Sequence, residues 1–185
     1  AGISLYGAID KVLPSAVAIN YYEGLTVHGV MLALVFTTFF ICGFLVFVTA
    51  QSLAEPLFSP RLEWIAWWLM LAGLSLSALA ILTNNASVLY TFYPPMRASS
   101  LFYIGLTLVV VGSWVVAGDI TSAFVRWRRR HPGERSPLPA FMSLITLLMW
   151  VIASLGIAAE MLFQLIPWSL GPVSYTHLRA HETGR

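Results

Sequence analysis

Four long stretches without a single Asp, Glu, Lys or Arg constrain this chain more than any other feature of its sequence. These charge-free stretches cover residues 24–54, 64–96, 98–118 and 136–159. About 20 apolar residues suffice for a helix to cross a bilayer core, and a backbone in that core has to satisfy its own hydrogen bonds. The sequence therefore predicts an all-α, polytopic membrane helix bundle with four transmembrane helices. Their expected bounds, uncertain by a few residues, are about 25–50, 62–83, 100–125 and 139–165.

Composition excludes several other classes of protein. Of the 185 residues, 58% are hydrophobic and 10% are charged, whereas soluble domains have about 45–50% apolar and about 25% charged residues. The single cysteine, Cys42, rules out a disulfide or a Cys-ligated zinc or iron–sulfur site within the chain. We expect Cys42 to be a small buried apolar residue. Two pairs of small residues, Gly73/Ser77 and Ser154/Ala158, indicate close helix packing.

The distribution of Lys and Arg predicts the orientation in the membrane. One side of the predicted bundle carries six basic residues, and the other carries Lys11 and Arg97. The six are Arg61, Arg126, Arg128, Arg129, Arg130 and Arg135. By the positive-inside rule, the loop Arg126–Arg135 is cytoplasmic. The arginines adjoin a membrane helix, so we expect them to set topology and to contact anionic lipid headgroups rather than nucleic acid.

Three ionisable residues within the predicted helices are candidates for function, because such residues are costly in a membrane. His28 lies about one turn inside the first helix. Its imidazole can be a haem-iron ligand or a core histidine bonded to a neighbouring helix, and the pattern alone leaves both open. Glu160 could belong to a proton path. For Asp119 we expect a structural role, in which it reaches the interface or pairs with Arg126 or Arg128.

The last 13 residues differ in character from the rest of the chain. The segment 173–185 contains His177 and His181 at metal-site spacing, but VSYTHLRAHET resembles a translated sequencing-library adapter, which should be excluded from fold reasoning. We expect 1–172 to be a partial domain of a longer protein and 173–185 to be an artefactual tail.

Several motifs resemble subunit I of haem–copper terminal oxidases, specifically the B family of cytochrome c oxidases. Residues 22–30, YEGLTVHGV, resemble the start of the second helix of that subunit. Residues 85–95, NASVLYTFYPP, resemble its outer loop between helices III and IV. The resemblance to helix V and its exit rests on Leu148-Met149-Trp150, Ala153-Ser154-Leu155-Gly156, Glu160 and Pro167-Trp168-Ser169.

This resemblance implies a fold and a set of cofactors. The four predicted helices would be helices II–V of a subunit with twelve or more helices. His28 would be one axial ligand of the low-spin haem b, and Tyr90 would lie near the oxygen-reducing centre. The ligands of the high-spin haem and copper B would lie outside this chain.

The implied function is that of the parent enzyme in a prokaryotic inner membrane. Electrons would come from a cytochrome c-like donor through a dicopper subunit II, and oxygen would be reduced to water with proton translocation. This chain alone would be inactive. A nitric oxide reductase large subunit is one alternative, and a non-catalytic membrane scaffold or transporter is another.

Overall fold

A computed structural model describes residues 21–86 and 98–171, which form four long helices. We name them span 1 to span 4, and their bounds are Gly24–Leu53, Pro60–Leu82, Ser100–Arg130 and Leu138–Leu170. Each is long and apolar enough to cross a membrane. The only strand-like pairing in the described ranges is an antiparallel bridge between Ala86 and Ala98. The predicted all-α bundle of four helices is therefore confirmed.

Spans 1 and 4 each contain a π-helical segment. Span 1 continues from an α-helix at Tyr21–Thr26 through a π-helix at Val27–Phe36 into an α-helix at Thr37–Leu53. Span 4 consists of Leu138–Glu160, a π-helical turn at Met161–Leu165 and a last α-helical turn at Ile166–Leu170. Such segments are rare and frequently occur at functional sites.

Span 3 is longer than its sequence predicted. It ends at Arg130 rather than near residue 125, so the expected arginine-rich loop is partly helix. Arg128, Arg129 and Arg130 occupy the last helical turn, where positive charge interacts favourably with the helix dipole. Long arginine side chains can also extend from a helix towards the interface. The predicted helix ended just before Arg126 because the whole arginine cluster was assigned to the loop.

Span 3 is also the centre of the bundle. In its most apolar window 61% of residues are buried, against 28%, 33% and 22% in the windows of spans 1, 2 and 4. Its most extensive partner is span 2. A Cβ atom added at Gly73 of span 2 would lie 2.4 Å from the carbonyl oxygen of Gly105 in span 3. The two backbones therefore touch, as the Gly73/Ser77 pair predicted.

Spans 3 and 4 are joined by two reciprocal hydrogen bonds. The indole Nε1 of Trp114 in span 3 donates to Ser154 Oγ in span 4 over 2.7 Å. In the opposite direction, Trp150 Nε1 in span 4 donates to Ser113 Oγ in span 3 over 2.8 Å. Ser113 and Ser154 are both fully buried. Each span thus provides one indole donor and one hydroxyl acceptor.

Candidate functional site

His28 lies on an uncovered face of span 1. It is the second residue of the π-helix Val27–Phe36, and its side chain is exposed. It forms no hydrogen bond or ion pair with any residue in the described ranges. On the opposite side of the helix, Thr26 and Val30 are fully buried. The bundle thus fixes the helix on one side, and on the other side none of the described residues binds the imidazole.

The face that carries His28 is otherwise apolar. Leu25 is 37% exposed, Leu32 is 51% exposed and Phe36 is 62% exposed. The same side continues along span 1 with Phe40 and Phe44, whose rings stack in series with Phe36 at centroid distances of 6.1 and 6.3 Å. A flat, largely apolar group could therefore lie against this face with His28 as its polar contact.

An unpartnered imidazole on such a face has a restricted chemistry. A polar group without a hydrogen bond is unfavourable in a membrane interior, so His28 needs a partner from outside the described residues. A neutral imidazole can bind one metal ion through a ring nitrogen. No group of three or more His, Cys, Asp or Glu residues in the described ranges could hold a metal ion by itself. The geometry therefore fits His28 as one ligand of a cofactor whose other contacts come from outside the described residues.

Asp119 is bound by a backbone amide and not by either of the arginines that the sequence offered as partners. It forms no ion pair with Arg126 or Arg128 in the described part of the chain, and it is only 1% exposed. Its Oδ1 atom accepts a hydrogen bond of 2.9 Å from the backbone N–H of Ser59. The partly buried amide ahead of span 2 lies within hydrogen-bond distance, whereas the two arginines are placed about two turns or more further along span 3.

Arg126 binds the same connecting segment as Asp119. Its guanidinium donates to the carbonyl oxygens of Pro56, Leu57 and Phe58 over 2.6, 3.1 and 3.4 Å. Arg130 pairs with Glu55 over 3.2 Å. Three side chains of span 3 thus hold the connection between spans 1 and 2, which confirms that this connection lies at the arginine-rich end of the bundle.

A cavity near this end was not predicted from the sequence. It has a volume of about 160 Å³ and is lined by both Glu63 and Asp119, together with Cys42 and Met70. The Oδ2 atom of Asp119 is buried without a hydrogen-bond partner. Glu63 lies inside the predicted helix 62–83, next to a charge-free stretch, but it was not among the candidate residues. Cys42 is buried, as predicted.

Glu160 is the remaining candidate within the described ranges, and it lies towards the opposite end of the bundle. Glu160 is half-buried, forms no ion pair in the described ranges, and directly precedes the π-helical turn of span 4. Tyr90 lies in 87–97, outside the described residues, and its expected place near an oxygen-reducing centre stays a prediction. The flanks of that segment are joined, because Ser99 N–H donates to the carbonyl oxygen of Asn85 over 2.7 Å.

Comparison with known proteins identifies the family. Residues 3–181 match the profile of the family described as cytochrome c and quinol oxidase polypeptide I. The chain belongs to this family. The oxidase profile covers all four spans, and the predicted resemblance to subunit I of haem–copper oxidases is thereby confirmed.

Individual relatives support the same assignment. This chain is 38% identical over 172 residues to cytochrome c oxidase subunit 1 of Thermus thermophilus. The alignment covers 92% of this chain and 30% of that protein. The chain is 27% identical over 156 residues to the heme-copper oxidase subunit I+III of Aeropyrum pernix, covering 77% of this chain and 19% of the relative. The chain therefore spans less than a third of either relative.

A solved structure shows the same helix arrangement. A chain of a heme-copper terminal oxidase dimer superposes with a TM-score of 0.80 at 43% sequence identity. The match covers 84% of this chain and 27% of the other. The four spans are thus a part of the helix bundle of a haem–copper oxidase subunit I.

Proposed function

We propose that this chain is part of the catalytic subunit of a respiratory terminal oxidase. The whole enzyme would reduce oxygen to water with electrons from a cytochrome c-like donor and couple the reaction to proton translocation. Membership of the oxidase family supports this proposal, and so does the name of the Thermus relative, which favours an oxidase over a nitric oxide reductase. A scaffold or transporter would not require an unpartnered imidazole on a membrane helix.

The role of this segment would be to supply His28 as one axial ligand of the low-spin haem b. The observation that carries the proposal is the exposed imidazole on an otherwise apolar face. When bound, the haem supplies an iron that accepts and releases one electron. Leu25 and Leu32 would exclude water from the ring, and the buried residues Thr26 and Val30 would hold the helix at a fixed distance from it.

The other parts of the enzyme would lie outside this segment. These are the second axial ligand, the high-spin haem, copper B and the dicopper subunit II. We place the protein in a prokaryotic inner membrane with the segment Arg126–Arg135 on the cytoplasmic side, since that segment carries the arginines. We also propose the B family as its subgroup, Tyr90 as a residue near the oxygen-reducing centre, and 173–185 as a tail unrelated to the domain at 1–172.

The ligand role can be tested by removing the imidazole from the full-length protein. We expect His28→Ala to abolish the low-spin haem band in the reduced-minus-oxidised absorbance spectrum. His131→Ala is the matched control, because it also removes an imidazole but at the far end of span 3, where His131 stacks on Trp127. The control should keep the spectrum of the wild type. An unchanged spectrum in His28→Ala would overturn the assignment.

A second variant separates loss of the ligand from loss of the fold. His28→Gly opens the space of the side chain, so imidazole added to the solution can take its place at the iron. We expect added imidazole to restore the low-spin band in His28→Gly and to have no effect on the wild type. A protein that folds, keeps its high-spin haem and shows no recovery would contradict direct ligation.

A further inference from the structure

A cationic cavity opens on the side of span 3 at its arginine-rich end. Its volume is about 500 Å³, and we call it the arginine cavity. Its lining residues are Phe58, Thr121, Ser122, Val125, Arg126, Arg129 and Arg130. Apart from Phe58, they recur at the spacing of one helix face. This cavity is separate from the exposed face of span 1 that carries His28.

The positive charge of the arginine cavity is only partly neutralised. The one carboxylate that pairs with its arginines in the described ranges is Glu55, on Arg130. The hydrogen bonds of Arg126 go to neutral carbonyl oxygens, and its charge is offset only in part by the Asp119 carboxylate, which lies beyond ion-pair distance. Arg129 is exposed and forms no hydrogen bond or ion pair with any described residue. The cavity thus has excess positive charge and a guanidinium whose donors are free.

Polarity changes along the cavity. From Thr121 to Arg130 the helix rises by about 14 Å, away from the bilayer core and towards its surface. Val125 is 43% exposed and Phe58 is 49% exposed, and both lie beside the guanidinium groups. The hydroxyls of Thr121 and Ser122 donate to carbonyl oxygens of their own helix, which leaves recognition of an anion to the arginines. The cavity thus places guanidinium groups towards the bilayer surface with apolar side chains beside them. An amphiphile with an anionic head and an apolar body matches this arrangement.

From this arrangement we infer that the arginine cavity is a binding site for an anionic phospholipid of the phosphatidylglycerol type. Its phosphodiester would bind Arg129 together with Arg126 or Arg130, and its glycerol ester region would lie against Val125 and Phe58. Guanidinium groups suit a phosphate because they offer paired donors. A zwitterionic lipid fits less well, since its cationic headgroup would meet the same arginines.

The test uses the full-length protein extracted from membranes that contain equal amounts of phosphatidylglycerol and phosphatidylcholine. After stepwise delipidation, native mass spectrometry counts the lipids of each kind that remain bound. We expect the wild type to retain phosphatidylglycerol selectively. Arg129→Gln should lower that retention about fivefold, the effect of one surface charge near anionic lipid.

Arg135→Gln is the matched control for this measurement. It removes the same charge from an exposed position that does not line the cavity, so retention should stay at the wild-type value. Equal losses of bound phosphatidylglycerol in the two variants would indicate a diffuse attraction to surface charge and would contradict the proposed site. Equal retention of the two lipids would also overturn it. Displacement by millimolar glycerol 3-phosphate would indicate a site for free phosphate esters rather than lipid.

Discussion

At the scale of single residues, Ala54 has a backbone conformation that its side chain disfavours. It ends span 1 with φ of 51°, in the left-handed region where a residue with a Cβ atom is strained and glycine is usual. We predict that Ala54→Gly raises the free energy of unfolding by about 1 kcal/mol. Reversible denaturation of the full-length protein in detergent measures the change. Ala50→Gly, one turn earlier inside the helix, should instead lower stability by about 1 kcal/mol.

Gly105 is a residue whose lack of a side chain sets the distance between two helices. A Cβ atom there would lie 2.7 Å from both the Gly73 carbonyl oxygen and the Ser77 nitrogen, and backbone atoms cannot rotate away. We predict that Gly105→Ala destabilises the protein by about 1–3 kcal/mol, the usual effect of overpacking. In the same helix, Gly118→Ala meets nothing within 4 Å and should be neutral or stabilising in the same denaturation assay. Similar losses in both variants would show that helix contact is not the cause.

At the scale of elements, the reciprocal indole–hydroxyl bonds fix spans 3 and 4 against each other. Ser113→Ala would leave the Trp150 Nε1 donor without its partner, so we predict a loss of about 1–2 kcal/mol in the free energy of unfolding. Ser75→Ala is the control, because Ser75 bonds only to the carbonyl of Leu71 in its own helix. A double-mutant cycle with Trp150→Phe should give strong coupling for Ser113. Full additivity would contradict a direct bond.

The limits of sequence analysis also appear at the scale of elements. Charge-free stretches predicted all four spans, because the cost of burying charge in a membrane is large and local. The π-helical segment around His28 has no such signal, since its hydrogen-bond register does not change which residues are apolar. The cavity beside Glu63 and Asp119 and the Trp114–Ser154 bond depend on which helices become neighbours. No single segment of the sequence specifies which helices become neighbours.

In the candidate site, too, some features could be predicted from a short stretch of sequence, whereas others depend on contacts between distant parts of the chain. His28 was recognisable from its position in an apolar helix and from its motif. Its lack of a partner among the described residues became visible only once spans 2 to 4 were in place. For Asp119 the sequence offered the interface or a nearby arginine as alternatives, whereas the fold also brings the Ser59 amide to its carboxylate.

At the scale of the whole molecule, the described spans bury one side of span 1 and leave another open. The exposed side carries His28 and the stacked rings of Phe36, Phe40 and Phe44. The chain covers 30% of the length of its Thermus relative, so a subunit of that length has further segments that can cover such a face. The stability of the site that we propose therefore depends on parts of the protein beyond these four spans.

The attachment of Asp119 and Arg126 to the segment between spans 1 and 2 has a consequence for biosynthesis. A carboxylate in a helix entering the bilayer is costly on its own. When span 3 leaves the ribosome, the Ser59 amide and the carbonyl oxygens of 56–58 have already been made, because they precede it in the chain. The hydrogen-bond partners of Asp119 and Arg126 are thus synthesised before these two charged residues. The connection between spans 1 and 2 is therefore already present to bind Asp119 and Arg126 when the central helix is inserted.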